Sequence, residues 1–321
     1  MKTLSSMGVR RWHRRFRLGL ALLAAAALPG AGAESPAPSP AALGEHASSV
    51  LHQIMVGEQS WVRIHAAEAL MAAGEAEAIR TYFLNELPHT ESSVFRIGVY
   101  RVLATASHSA EERSSWIAKV EHIYLDPTAP DQNQAIETLC KLGHRVTGPT
   151  LELVRHRLAG PPSVPKALAL WSATLAGEPH ALESLTRLLD SQDPDLRRNA
   201  AYALRWLHPS DPAVRRILDL AAATAVPAYD SASVYIVGAA LAVDANPAAS
   251  KGWVAMLNFT LVTDAFSPGE RFEASWTLKH RYKAADLPGL AGLLELPASE
   301  NDVRVGTASI ILTTLTRESS R

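Results

Sequence analysis

A short pattern recurs along this chain, and its period limits the possible folds more than any other feature. The pattern is clearest in Val62-Arg63-x-x-Ala66-x-x-x-Leu70. Its central position, usually a small residue, returns every 31 to 38 residues, at Ala66, Gly98, Ala135, Ala169, Ala200, Ile236, Ala274 and Thr307. A period of this length is one helical hairpin, and such hairpins bury their apolar faces on their neighbours. The sequence therefore predicts an all-α repeat protein.

The beginning of the chain is predicted to be a secretory signal peptide. Five arginines between positions 10 and 17 precede an apolar run over 18–28, and Ala31-Gly32-Ala33 follows. These are the features of a signal with a small-residue cleavage site. The apolar run is about half as long as the roughly 20 residues of a membrane-spanning helix. We therefore expect cleavage after Ala33, by general or twin-arginine export, and a periplasmic or secreted protein without stable membrane insertion.

The charge of the mature chain argues against a nucleic-acid partner. Without residues 1–33 the chain keeps 25 lysines and arginines against 32 aspartates and glutamates. Binding to nucleic acids depends on basic residues that neutralise phosphates, which an acidic chain provides poorly. The only cysteine, Cys140, has no partner for an internal disulfide and lies beside Leu139 in an apolar stretch. Its expected role is that of a small buried residue.

Residues 34–42 are rich in proline, serine and alanine, and we interpret them as a flexible linker before a repeat domain over 43–321. In that domain the apolar residues follow helical spacing. They predict helix pairs at 43–57 with 61–73, 75–87 with 92–106, 110–125 with 131–143, 148–159 with 164–176, 180–190 with 195–207, 211–224 with 231–243, 248–262 with 269–282, and 284–296 with 301–315. Asp193-Pro194, Asp211-Pro212 and Ser267-Pro268 each place a capping oxygen before a proline at the first helical position.

The second helix of these pairs resembles the second helix of HEAT and HEAT-like repeats. Asp195-Leu196-Arg197-x-x-Ala200 and Asp302-Val303-Arg304 carry the resemblance, which extends over nearly all of the mature chain. It implies a right-handed α-solenoid, an α-α superhelix of about eight helical hairpins. It also implies that the aspartates and arginines of this pattern bond between adjacent repeats and have a structural role. These residues are Arg63, Asp195, Arg197, Arg271, Asp302 and Arg304.

The resemblance further implies that the second helices line a concave groove. Helical geometry then predicts that the repeat position of Glu68 faces this groove. Along the repeats this position holds Glu68, Tyr100, Glu137, Trp171, Tyr202, Gly238, Trp276 and Ser309. Half of these residues are aromatic, although aromatic residues make up only 6% of the chain. The position one turn further on adds Trp206 and His280, and Arg205 lies next to Trp206 in sequence.

These residues are our candidate ligand-binding stripe: Tyr100, Trp171, Tyr202, Arg205, Trp206, Trp276 and His280. Amphipathic rings stack on sugars or bury peptide side chains, and tyrosine, tryptophan and arginine are enriched at binding hot spots. The alternative is a register that is wrong by one residue, in which case the rings pack between helices.

The sequence contains no recognised catalytic or metal-binding motif. It has no H-E-x-x-H, G-x-S-x-G or glycine-rich phosphate loop, and no cysteine cluster. His65 and Glu68 are three residues apart, a pair that is most often a solvated helix face. We therefore expect no catalytic residue, no metal and no cofactor.

Two classes of function remain open. The first is an exported, non-enzymatic scaffold that presents its concave surface to a protein segment or, alternatively, a glycan, as part of an envelope complex. The second is an enzyme or enzyme subunit similar to the HEAT-like phycobilin lyases or alkylpurine DNA glycosylases, with chemistry in the groove. Export and acidity favour the scaffold, while a shared fold does not establish function.

The last predicted helix carries more apolar residues than one buried face requires. They include Val303, Val305, Ile310, Ile311, Leu312 and Leu315. A terminal repeat needs a polar outer face to stay soluble. We therefore expect this helix to contact a partner or a second copy of the chain.

Overall fold

The computed structural model describes residues 38–90, 93 and 95–320. The signal peptide expected over 1–33, with its cleavage after Ala33, lies outside the described residues. Of the linker expected over 34–42, only residues from 38 onward are described, and the first helix already begins at Pro40. It begins there because the Ser39 hydroxyl accepts a hydrogen bond from the amide of Ala42, at 3.2 Å.

All regular secondary structure in the described part of the chain is helical, which confirms the all-α prediction. The α-helices are α1 Pro40–Gly57, α2 Trp61–Leu70, α3 Ala76–Thr90, α4 Arg96–Thr105, α5 Ala110–Leu125, α6 Gln132–Lys141, α7 Gly148–Leu158, α8 Val164–Ala176, α9 Ala181–Arg187, α10 Pro194–Leu207, α11 Pro212–Ala228, α12 Ser233–Ala242, α13 Pro247–Val262, α14 Pro268–Leu278, α15 Ala291–Leu294 and α16 Asn301–Ser319. A π-helical turn, Met71–Glu75, joins α2 to α3.

The helices begin where the sequence places capping groups. The side chains of Asp193 and Asp211 each accept a hydrogen bond from a backbone amide of the helix that follows, at 2.8 Å. Ser267 and Glu270 form a complete capping box at the start of α14. One predicted helix differs: the segment 284–296 begins as a 3-10 helix, Ala284–Leu290, and becomes α-helical only in the short α15. Pro288 lies in this segment and lacks the amide that a regular α-helix would use.

The contacts among helices return to their starting point. Each even-numbered helix packs on the next even-numbered helix, from α2 through α14 to α16, and α16 in turn packs on α2. Helix α16 also packs on α1, and the amide of Asn301 donates to Glu58, just past the end of α1, at 2.6 Å. His46 on α1 pairs with Glu295, which follows α15, at 2.6 Å. Within the unit 38–321 the contacts therefore form a closed circuit, whereas an open stack would leave two free ends.

This closure corrects the interpretation of the last helix. Val303, Val305, Ile310 and Ile311 are all buried, with 0–1% of their surface exposed. Helix α16 makes contacts with α1, α2 and α14, so more than one of its faces is covered by the chain itself. Its excess of apolar residues is used inside the molecule and gives no reason to expect a partner at this helix. In the described part of the chain, no helix is both long enough and apolar enough to cross a membrane.

Gly306 on α16 faces Ser275 of α14 at short distance. A Cβ atom at this position would be 2.8 Å from the Cβ of Ser275, whereas carbon atoms in contact lie about 3.5–4.0 Å apart. We expect Gly306→Ala to lower the free energy of unfolding by about 2 kcal/mol, as overpacking of a core does. Urea denaturation followed by circular dichroism measures this change.

Two further variants test whether the close approach to Ser275 causes this loss of stability. Adding Ser275→Gly to Gly306→Ala removes the obstructing side chain and should restore part of the lost stability. Gly252 lies within α13, and a Cβ there would meet nothing within 4 Å. Gly252→Ala should therefore leave the protein as stable or more stable, because alanine favours the helix. Equal effects of the two alanine substitutions would contradict the role of Gly306.

Candidate functional site

Seven of the eight even-numbered helices line a cavity of about 750 Å³. Its walls come from α2, α4, α6, α10, α12, α14 and α16, with the π-helical turn after α2 and the start of α3. Helix α8 contributes no lining residue. Cavities of about 300–1,000 Å³ are typical of sites for small molecules. We call this space the central cavity and treat it as the candidate functional site.

A row of rings crosses the wall of the central cavity. It begins at His65 on α2, whose ring centroid is 4.8 Å from that of Phe272 on α14. Phe272 is followed by Trp276 at 6.1 Å, and Trp276 by Trp206 on α10 at 6.1 Å. These four residues line the cavity. His65 and Phe272 are neighbours because the packing of α14 and α16 brings the end of the chain back to α2.

Charged side chains on α2, α4 and α6 form a first polar group in the wall. Arg101 donates from Nε to Glu68 at 2.6 Å and from Nη1 to the hydroxyl of Thr138 at 3.2 Å. The other carboxylate oxygen of Glu68 is 3.1 Å from Nδ1 of His65. Burial alone would raise the pKa of Glu68, but Arg101 and His65 hold it well below its usual range. This carboxylate is therefore ionised at neutral pH.

A second polar group joins α6 to α10. Lys141 pairs with Glu137 at 2.8 Å, and the hydroxyl of Tyr202 donates to the same carboxylate oxygen at 3.0 Å. Burial works to raise the pKa of Glu137, yet Lys141 lowers it overall. Burial and the nearby Glu137 raise the pKa of Tyr202 well above its usual value, so its phenol stays protonated. Lys141 also lies over the rings of Tyr202 and Trp206, at 5.3 and 5.8 Å from their centroids.

A third polar group joins α10 to α14. Arg205 donates from Nη1 to Glu273 at 2.6 Å, and its guanidinium lies 5.1 Å from the ring centroid of Tyr202. Just past the end of α14, Lys279 places its ammonium 3.6 Å from the ring centroid of Trp276. Burial, together with the charge of Arg205, lowers the pKa of Lys279 to about 8. No carboxylate lies within ion-pair distance of Lys279 among the residues that the structure describes.

Four members of the predicted stripe line the central cavity: Tyr202, Arg205, Trp206 and Trp276. They lie on two helices, α10 and α14, which α11, α12 and α13 separate in sequence. Glu68 and Glu137, which occupy the same repeat position as Tyr202 and Trp276, line it as well.

The structure places the other three members of the stripe elsewhere. Tyr100 is buried, 6% exposed, and stacks on Trp116 of α5 with ring centroids 5.9 Å apart. Trp171 is only 1% exposed and packs behind Trp206, 6.4 Å away between centroids. His280 is exposed, follows the end of α14 and does not line the cavity. For Tyr100 and Trp171, the alternative of rings packed between helices describes the structure.

Three of the arginines expected to bond between repeats do reach the next part of the array. The pairs are Arg63 with Tyr82 at 3.0 Å, Arg271 with Glu300 at 2.7 Å, and Arg197 with Asp230. Arg63 and Arg271 are each 3% exposed, so their guanidinium groups hold neighbouring segments together inside the molecule.

The other three residues of that set differ from the expectation. Asp195 pairs with Arg198 on its own helix at 3.1 Å. Arg304 donates to the backbone oxygen of Leu294 at 2.9 Å, within the last helix pair. Asp302 lines the central cavity, where burial raises its pKa. These residues do not link one repeat to the next.

Repeat position alone misses several residues of the site. Arg101, Lys141, Phe272 and Glu273 line the cavity but do not occupy the repeat position of the aromatic stripe. A helical pattern could have found some of them, because Glu273 is three residues from Trp276 and Lys141 is four residues from Glu137. Such spacings place side chains on one helix face. Arg101 reaches the cavity through the packing of α4 against α2, which no local spacing reveals.

The described ranges contain no group of three or more His, Cys, Asp or Glu side chains placed to hold a metal ion. Cys140 is buried, and burial raises the pKa of its thiol well above the usual value. The residues that the cavity offers a ligand are therefore aromatic rings, guanidinium and ammonium groups, carboxylates and hydroxyls.

Comparisons with known protein families, with curated proteins and with solved structures find no match to this chain. Its function is therefore inferred from the central cavity and the residues around it.

Proposed function

We propose that this chain is an exported, non-enzymatic binding protein that holds a glycan of one or two sugar units in its central cavity. Its fold would be a right-handed, HEAT-like solenoid of about eight hairpins whose ends meet. The repeat period of 31 to 38 residues and the succession of contacts between even-numbered helices support this fold. The protein would act in the periplasm or outside the cell, in an envelope complex.

The row of rings from His65 to Trp206 is the observation that carries the proposal. Sugars have apolar C–H faces that stack on such rings, and hydroxyls that need hydrogen-bond partners at their edges. Trp206 and Trp276 offer such faces, at 6.1 Å between centroids, and the carboxylates of Glu68 and Glu137 line the same cavity. Rings and hydrogen-bonding groups thus share the wall of one cavity.

The size of the cavity favours a glycan over a protein segment. A long segment needs more room than one or two sugar units do. The cavity is partly open to solvent, but its volume of about 750 Å³ is in the range of sites for small molecules. Binding of a protein segment remains the alternative occupant that experiment can distinguish.

Titration calorimetry with neutral sugars tests the proposal. With the mature chain and probes such as D-glucose and maltose, we expect Trp276→Ala to weaken binding by about 30-fold, the loss typical of an aromatic hot spot. His280→Ala is the matched control, because His280 lies just past the same helix, is exposed and does not line the cavity. It should leave affinity unchanged.

Three results would contradict the proposal of a non-enzymatic glycan-binding protein. The first is an absence of binding to any neutral sugar at millimolar concentration, and the second is equal affinity of Trp276→Ala and the wild type. The third is release of a chemically altered sugar, which would favour the enzymatic alternative. Capture of a peptide that Trp276→Ala abolishes would instead favour a protein segment as the ligand.

A further inference from the structure

Carboxylates outnumber arginines and lysines in the wall of the central cavity by four to three. The carboxylates are Glu68, Glu137, Glu273 and Asp302, and the basic side chains are Arg101, Lys141 and Arg205. The three ion pairs already described use every member of this set except Asp302. Among the described residues, the side chain of Asp302 has neither an ion pair nor a hydrogen bond. One carboxylate of the wall therefore lacks a counter-charge.

Helix α16 brings Asp302 to the part of the wall where the row of rings begins. Asp302 lies four residues before Gly306, so the two share one face of α16. A Cβ atom at Gly306 would be 3.4 Å from Cδ2 of Phe272, which shows that this face lies against α14. Helix α16 also packs on α2, which carries His65, and the rings of His65 and Phe272 are 4.8 Å apart. Asp302, Phe272 and His65 all line the cavity.

The protein itself compensates the charge of Asp302 poorly. Burial, with the charges of Glu58 and Glu300, raises the pKa of Asp302, and His65 opposes this rise only in part. The Nδ1 atom of His65 is engaged with Glu68 at 3.1 Å. A cationic group on a ligand would supply the missing counter-charge and favour the ionised form of Asp302.

The neighbouring rings favour the same kind of ligand group. A ligand cation is attracted to an aromatic face within about 6 Å of the ring centroid. Phe272 offers such a ring beside Asp302, and Trp61, one turn before His65 on α2, also lines the cavity. Trp276 is a poorer position, because the ammonium of Lys279 already lies 3.6 Å from its ring centroid. A ligand cation is therefore best placed at Asp302 and Phe272.

Buried donors in the wall favour a ligand that also carries oxygen atoms. Arg101 and Arg205 line the cavity and are 4% and 7% exposed. The Nη2 atom of Arg101 and the Nε atom of Arg205 have no acceptor among the described residues. Buried donors without acceptors are costly, so ligand hydroxyls beside these guanidinium groups would stabilise the site. An apolar amine would leave these donors unpaired.

We propose that the glycan ligand is an amino sugar, whose ammonium group binds at Asp302 and Phe272 while its hydroxyls bind the polar groups of the wall. The inference rests on the proposed glycan-binding function and names its ligand class. One ammonium group matches the one carboxylate that has no counter-charge. An acidic sugar would add a negative charge to a wall in which carboxylates are already in excess.

Calorimetry near neutral pH, where the amine of D-glucosamine is largely protonated, tests this inference. We expect D-glucosamine to bind about tenfold more tightly than D-glucose, as one charge-assisted contact provides. N-acetyl-D-glucosamine, whose nitrogen is a neutral amide, should show no such gain. Cyclohexylamine has the cation and a ring without hydroxyls, and it should bind more weakly than D-glucosamine. These comparisons between ligands need no change to the protein.

Substitution of Asp302 locates the effect. Asp302→Asn removes the charge and keeps the shape, so it should abolish the preference for D-glucosamine and leave the affinity for D-glucose unchanged. Asp264→Asn is the matched control, since Asp264 is exposed in the turn before α14 and does not line the cavity. This control should preserve the preference.

The outcomes separate the two proposals. Equal affinity for D-glucosamine and D-glucose would overturn the amino-sugar inference and leave glycan binding standing. A preference for D-glucosamine that survives in Asp302→Asn would overturn the assignment of the ammonium group to Asp302. Cyclohexylamine that binds as tightly as D-glucosamine would overturn the amino sugar in favour of a simple amine. No binding of any of the three sugars would overturn both proposals.

Discussion

Replacing Arg101 by methionine is expected to lower the free energy of unfolding by about 3 kcal/mol, near the lower end of the cost of breaking a buried ion pair. Arg101 is 4% exposed and donates to Glu68 and to Thr138. Methionine fills much of the same volume but leaves the Glu68 carboxylate without its main counter-charge. The cost stays at the lower end because the Glu68 side chain is 21% exposed and keeps His65 beside it.

The pH dependence identifies the cause of that loss. The pKa of Glu68 is lowered in the folded protein, so its pair with Arg101 stabilises the fold above the pKa of the unfolded chain, about 4. As the pH falls below that value, the wild type loses this stabilisation. The difference in stability between wild type and Arg101→Met should therefore be largest at neutral pH and shrink in acid.

Arg155 offers a matched control. It pairs with Glu178 at 2.7 Å, but its side chain is 55% exposed. Exposed pairs contribute little to stability, so Arg155→Met should leave the urea midpoint almost unchanged. If Arg101→Met were as mild as Arg155→Met, or if its deficit persisted unchanged in acid, the ion pair would not be what holds α2, α4 and α6 together.

Much of the helical fold is predictable from local sequence features. The capping residues Asp193, Asp211 and Ser267 fix three helix starts, and apolar spacing gives most other boundaries to within about one helical turn. Closure of the array is not predictable in this way. It depends on contacts such as Asn301 with Glu58, which are 243 residues apart in sequence and have no local pattern.

The excess of apolar residues in the last helix shows how a prediction fails when a contact between distant parts of the sequence is not recognised. From the sequence, Val305 and Ile310 look like an exposed surface at the end of an open stack. Once α16 packs on α1, α2 and α14, both are buried. The same residues could thus form a docking surface or pack inside a closed array of helices. The packing of α16 on α1 distinguishes the two.

The candidate site was predictable in part, because one repeat position does lead to the central cavity. Tyr202 and Trp276 both line it from that position. Repeats of unequal length, however, do not rotate their helices equally, so an equivalent residue need not face the same way. Tyr100 and Trp171 show this difference, since both are buried between helices. Glu68 and Glu137 also line the cavity from that repeat position, whereas Arg101 reaches the wall through the packing of α4 on α2 and could not be located by repeat position.

The side chains of α6 and α10 meet in front of Trp171, which explains its burial. Tyr202 of α10 donates to Glu137 of α6, and Lys141 of α6 lies over Trp206. Helix α8, between them in sequence, contributes no residue to the cavity wall. Its tryptophan instead supports the wall from behind, with its ring 5.9 Å from Tyr202 and 6.4 Å from Trp206.

Trp171→Ala is therefore expected to lower the free energy of unfolding by about 3–5 kcal/mol, the cost of removing a buried tryptophan. Trp276 is partly exposed to the cavity, so Trp276→Ala should cost less stability while it weakens ligand binding more directly. Urea denaturation and calorimetry on the two variants compare these effects. If Trp171→Ala were as stable as the wild type and had lost only ligand affinity, Trp171 would be a ligand-binding residue. A supporting ring cannot be removed without loss of packing.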